Sequence, residues 1–394
     1  MLSPEVMRPR QNHLPGREPV FWPGLFFAFA ATSMAVGIIW DISWHTTIGR
    51  DAFWTPAHMA IYLGGALGGM TGGWLAFKHT FLAGPEGRDS SVGIFGGRAP
   101  LGALVAIWGA VAMLTSAPFD NWWHNAYGLD VKIVSPPHAL LGIGMSSIIF
   151  GALLLVLARQ NRATGGAGAG LFIYVGGILL TMVGVFASEY CFPNEQHAAL
   201  FYEVCAAVFC GPLVALGRAG RVSWPATRAA AVYIGITCLM AWILPLFPAQ
   251  PKLAPIFNPL THMVPPAFPL LLIFPAFAID LILRRTPQIN GWLRNLMLAA
   301  LMAAAFLAVV IPVQWYFAKF LISPYADNWF FVGNRIWSYA DGPGKYRTTF
   351  WHVRPDRPDA DLFGPSAAGL SWALGTFSAW LGLLRGGWMR KVRR

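Results

Sequence analysis

Ten long runs of uncharged, apolar residues recur along this chain, at about 21–43, 56–78, 99–119, 137–158, 168–189, 197–217, 229–248, 262–283, 293–318 and 366–384. Each is long enough to cross the hydrocarbon core of a bilayer as a helix. Inside lipid every backbone N–H and C=O must be bonded within the protein, so a chain built of such runs folds as an all-α, polytopic transmembrane bundle. Composition agrees: 56% of the 394 residues are hydrophobic and 11% are charged, against roughly 25% charged in ordinary soluble domains. No stretch reads as a cleavable signal peptide, because the polar, basic start (Arg8, Arg10, Arg17) leads straight into the first run.

The net charge of +11 raises the question of nucleic acid, and the placement of the charges answers against it. Nineteen of the 28 Lys and Arg fall on one set of alternate loops and the two ends. That asymmetry predicts that both termini are cytoplasmic, in a bacterial-type inner membrane, with helices paired as outward-opening hairpins. The basic tail (Arg385, Arg390, Lys391, Arg393, Arg394) is suited to anionic membrane lipid.

The chain divides into a cytoplasmic segment (1–20), a four-helix region (21–160), further helices (161–318), an outer extramembrane segment (319–365), and a final helix with its tail (366–394). The outer segment mixes Trp329, Trp337 and Trp351 with Asp356, Arg357, Asp359 and Asp361, as a structured cap does. Four cysteines, Cys191, Cys205, Cys210 and Cys238, show no CxxC spacing and read as buried thiols.

Chemistry concentrates at the outer turns. WDISWHTTIGRDAFWTPAHMAIYLGG (40–65) and FDNWWHNAYGLDVKIVSPPHALLGIG (119–144) share D-x3-H, a following Asp and a [S/T]-P-x-H helix start. Asp41 and His45, and likewise Asp120 and His124, stand four residues apart and share a helix face. His58 and His138 open the next helices behind Thr55-Pro56 and Ser135-Pro136, with Thr55 and Ser135 as N-caps and proline at the first turn. Each hairpin therefore offers one carboxylate and two imidazoles to one point, a set suited to copper, zinc or non-haem iron. Asp51 and Asp130 are placed to orient an imidazole. The third turn (Glu189, His197, Glu203) and the fourth (Asn258, His262) are weaker echoes, better suited to structural hydrogen bonding. Asp280 is expected to pair with Arg284 at i+4.

The first motif, D-x2-W-H-x4-R-D-x3-T-P-x-H, resembles the copper-site motif of the C subunit of particulate methane and ammonia monooxygenases. The second site is similar too, written N-x3-H-x13-H in that family and met here by Asp120, His124 and His138. The resemblance covers residues 20–160. It implies that Asp41, His45 and His58 ligate one copper, that Asp120, His124 and His138 form a neighbouring site, and that the chain works with partner subunits or as a trimer. It departs from the family in having Asp120 for Asn, and in about 230 further residues carrying six more helices.

Three readings follow. The first is a copper-dependent membrane oxidoreductase, or a subunit of one, acting on a small apolar substrate. The second is acquisition, storage or delivery of copper at the outer face. The third is a structural subunit of a membrane complex, without metal, whose His/Asp clusters only hydrogen-bond; a homo-oligomer is compatible with each.

Overall fold

The computed structural model describes residues 20–127, 135–163, 168–286, 291–342, 344–354 and 361–394. Among them the chain is an all-α bundle. Helices α1 (Trp22–Thr47) and α2 (Pro56–Phe77) form the first hairpin. A short α3 (Pro85–Asp89) and a two-stranded hairpin, β1 (Val92–Ile94) against β2 (Gly97–Ala99), cover its far end. Helices α4 (Leu101–Tyr127) and α5 (Pro136–Arg162) form the second pair. Helices α6 (Ala169–Phe186), α7 (Ala199–Ala219), α8 (Pro225–Ile243), α9 (Ile273–Arg285), α10 (Trp292–Leu321) and α11 (Pro365–Met389) complete the bundle.

Eight of these helices are long and apolar enough to cross a membrane, fewer than the ten runs suggest. The glycine-rich α2 and the short α9 fall outside that set. The eighth run shows why: a helix is expected over 262–283, yet it begins only at Ile273. Pro265, Pro266 and Pro269 have no N–H to give, and the chain from His262 to Leu271 stays irregular. Its backbone groups are bonded by side chains instead. Val264 N donates to Thr47 Oγ1 (2.7 Å), Ser43 Oγ donates to the Val264 carbonyl, Leu270 N donates to Tyr233 Oη (3.2 Å), and Leu271 N donates to Gln314 Oε1 (3.0 Å). Irregular backbone amid spanning helices is tolerated where protein groups satisfy it in this way.

Helices α4 and α5 approach closely. At Gly109 an added Cβ would lie 2.6 Å from the Gly144 carbonyl oxygen, and at Gly144 it would lie 2.8 Å from that of Gly109. Helices α4 and α5 therefore touch backbone to backbone, as small residues permit. Helices α1 and α4 also run past the ends expected from hydropathy, to Thr47 and Tyr127. Asp41, His45, Asp120 and His124 thus all lie on helix.

Among the described residues of 322–364, short 3-10 turns form a cap tied to the helix ends. Asn194 Nδ2 donates to the Arg347 and Thr349 carbonyls (2.9 Å each), Trp242 Nε1 to the Phe330 carbonyl (2.8 Å), and Tyr339 N to the Thr46 carbonyl (3.1 Å). All four cysteines are free, and Cys205, Cys210 and Cys238 are buried. Asp280 does not form the expected i+4 ion pair. Its carboxylate caps α8, accepting from Ala226 N (3.3 Å), Thr227 N (2.9 Å) and Thr227 Oγ1 (2.8 Å), while Arg284 lies over the Trp224 ring.

Candidate metal centre

The turn from α1 to α2 is short and fully folded. Gly49 takes a left-handed backbone (φ 82°), which glycine adopts without a Cβ clash. Trp44 Nε1 donates to the Arg50 carbonyl (3.0 Å), and Ala52 N donates to Thr55 Oγ1 (2.8 Å). Thr55 is the N-cap residue of α2, as expected, but its hydroxyl closes this turn rather than capping the helix. The consequence is that Asp51 folds back over the ends of both helices.

Four side chains then meet: Asp41 and His45 from α1, Asp51 from the turn, and His58 from the first turn of α2. One ligand atom from each lies within 4.8 Å of all the others. His58 Nε2 is 3.0 Å from Asp41 Oδ1 and 3.4 Å from Asp51 Oδ2. His45 Nε2 is 3.5 Å from Asp51 Oδ2 and 3.9 Å from Asp41 Oδ2. Asp41 and His58 form the floor, with 15% and 18% of their side chains exposed, and His45 stands at the mouth with 46%. The hydrogen bond from His45 holds the Asp51 carboxyl below its usual range, against the opposing effect of burial.

This donor set fits a transition metal. It supplies two imidazole nitrogens and two carboxylates, and no sulfur, which suits copper(II), zinc or iron. Asp41 Oδ1 is buried, and His58 Nε2, 3.0 Å away, is the polar group that reaches it. Such an oxygen is costly unless a cation or donor reaches it. Asp51 sits among the ligand atoms themselves, where the sequence assigned it only an orienting role.

In the second hairpin the described residues are those of the two helix ends. Ser135 caps α5, its hydroxyl accepting from His138 N (3.4 Å). His138 Nε2 lies 3.6 Å from Asp120 Oδ1. His124 lies on α4, its side chain outside the described residues along with Asp130. Between the turns stands Tyr62, one helical turn beyond His58, whose phenol feels Asp120, Asp41 and Asp51 together. Sequence reading missed it, although the His58/Tyr62 i, i+4 spacing was available as a signal.

Among the described residues the remaining candidates join no metal-like cluster. His197 is stacked between Trp315 and Phe350, with ring centroids 3.7 and 3.6 Å away, and its Nε2 lies 3.0 Å from the Trp315 carbonyl oxygen. Burial holds its imidazole below the ordinary value. Asn258 donates to the Trp337 and Ser338 carbonyls (3.3 Å each), and His262 Nδ1 lies 3.0 Å from Thr261 Oγ1. Glu203 is half-buried on α7.

Glu189 lines a different feature, a cavity of about 960 Å³. The irregular 264–270 segment, the cap and α1 itself, through Ile39, Ile42, Ser43 and Thr46, form its walls. The prolines that break the eighth run were its signal in the sequence.

No family model, no curated protein and no solved structure matches this chain. The likeness to the monooxygenase C subunit rests on the motif residues alone.

Proposed function

We propose that this chain is a multi-pass membrane protein that binds copper at Asp41, His45, Asp51 and His58 and serves as a copper-dependent oxidoreductase, or as a subunit of one. The observation that carries the reading is the convergence of two imidazoles and two carboxylates from three segments within 4.8 Å. Carboxylates at helix ends in a membrane protein are expensive unless paired or functional. The motif resemblance selects copper over zinc or iron. Asp120, His124 and His138 form a second, more open site beside it, with Tyr62 between the two.

In this reading both termini face the cytoplasm, all ten long helices belong to the membrane domain, and the sites face outward. The 960 Å³ cavity behind α1 is large enough for a small apolar substrate, since organic ligands occupy pockets of about 300–1,000 Å³. The bound metal would supply redox or Lewis-acid chemistry. The chain's own groups orient it: Asp41 and His58 hold it from the floor, Asp51 closes the side, and His45 controls the mouth.

The exposure of His45 favours one second reading, copper acquisition and delivery, because a ligand at the mouth can exchange with an outside donor. Turnover separates the two. Copper-loaded protein supplied with reductant, O2 and short alkanes consumes O2 and forms product if it is an oxidoreductase with all of its subunits. Transfer of copper to an acceptor protein without O2 consumption supports delivery. Absence of stoichiometric metal from protein purified without chelators overturns both and leaves the structural-subunit reading.

A further inference from the structure

The opposite end of the bundle holds a second concave site. Helices α7, α8, α9, α10 and α11 come together there around a pocket of about 270 Å³, with Arg218, Arg284, Arg294 and Arg390 on its walls. Asp280 is the one acidic residue among the described residues lining it, and both of its carboxylate oxygens are committed to the N-terminus of α8. Arg218, Arg284 and Arg390 make no ion pair among the described residues. Arg218 and Arg390 are near enough to repel each other, and Arg221 adds to the field at Arg390. Arg284 is fixed over Trp224, with its Cζ 4.3 Å from the ring centroid, and Trp224 stacks in turn on Phe277 at 4.7 Å. Four arginines gather here around one carboxylate, Asp280, which attracts Arg284 but is itself engaged by α8. The excess of positive charge suits an anion, and forked guanidinium N–H groups match phosphate oxygens.

We propose that this pocket binds one phosphate group, and that the phosphate belongs to an anionic membrane phospholipid. Two observations favour lipid over a free phosphate compound. The pocket is of phosphate-and-glycerol size, below the roughly 300–1,000 Å³ usual for whole organic ligands. Beside it, α9 and α10 present exposed Phe277, Trp292 and Leu293, an apolar border along which acyl chains can lie. Basic pockets between helices at a membrane face recognise anionic headgroups in this way. The site lies at the end of the bundle away from the metal cluster, and the inference stands whether or not that cluster holds copper.

The test uses the full chain, delipidated in detergent, and counts bound molecules by native mass spectrometry. Phosphatidylglycerol, phosphatidylcholine and inorganic phosphate are the three probes. One phosphatidylglycerol should stay bound at least tenfold more tightly than phosphatidylcholine, whose quaternary ammonium the arginines repel. Arg218→Gln with Arg390→Gln should remove that preference, and Arg390→Lys should keep most of it. Equal retention of the two lipids by the wild-type chain overturns the proposal without recourse to any variant. Inorganic phosphate bound as tightly as phosphatidylglycerol overturns the lipid assignment. An undiminished preference in a double variant that keeps its helical circular dichroism overturns the assignment of these arginines.

Discussion

The first two hairpins carry the same motif, and their described residues come together to different degrees. In the first, a folded turn returns Asp51 to the helix ends, and four ligand atoms converge over a largely buried floor. In the second, Asp120 and His138 approach to 3.6 Å, and their side chains are 33% and 38% exposed. The spacing of Asp, His and His is nearly the same in both. Among the described residues the support of the first site is plain. The end of α1 is held by Ser43 and Thr47 against Val264, and by the Thr46 carbonyl against Tyr339 of the cap. Ligand spacing brings groups near each other, but the surrounding bonds decide how closely they are held.

The largest expected effect comes from removing the floor of the first site. Asp41→Ala with His58→Ala should abolish its metal binding, a loss of roughly a hundredfold or more in affinity given that outer partners alone are worth about 10–100-fold. Equilibrium dialysis with copper measures it. Asp51→Asn tests whether the turn carboxylate is a ligand or a support. The geometry predicts a loss near the upper end of that same 10–100-fold range, and an unchanged affinity would return Asp51 to an orienting role.

Breaking the second site should leave the first intact. His138→Ala is expected to remove at most one equivalent of metal, with copper at the first site showing an unaltered electron paramagnetic resonance spectrum. If both signals vanish together, the two turns form one centre and the contrast drawn between them fails. Gly144→Ala probes the helix contact beneath the second turn. Overpacking there should cost about 1–3 kcal/mol, read as a lower Tm, with metal affinity at the first site retained.

The smallest effect is a pH dependence away from both turns. His197 is buried between two rings with its folded pKa lowered. Its contribution to stability is therefore complete above the unfolded value near 6.5 and is lost as pH falls below it toward the folded value. The Tm should drop on acidification in that window, and His197→Gln should flatten the curve.

Much of this was legible in the sequence for identifiable reasons. Hydropathy exposed the bundle because lipid demands long apolar runs. The motif exposed Asp41, His45 and His58 because i, i+4 and hairpin geometry are local rules. Asp51 was noticed as an orienting group, but its closeness to the other three ligand atoms was not legible, since that depends on how Gly49, Trp44 and Thr55 fold the turn. The eighth run was misread as helix because hydropathy does not register the missing N–H of Pro265, Pro266 and Pro269. The side chains that replace those bonds, Thr47, Tyr233 and Gln314, come from distant parts of the chain. Tyr62 and the cavity behind α1 had local signals, the i, i+4 spacing from His58 and the proline run, but what surrounds them is set by long-range packing.

The central claim is that the first turn is a metal site, and metal content tests it most directly. The chain, purified without chelators and dialysed against copper, should retain at least one equivalent by inductively coupled plasma mass spectrometry. Its copper X-ray absorption spectrum should show two imidazoles among nitrogen and oxygen ligands, and Asp41→Ala with His58→Ala should lose that equivalent. Wild-type protein with no retained metal, or a double variant that keeps the same copper and the same spectrum, would contradict the claim.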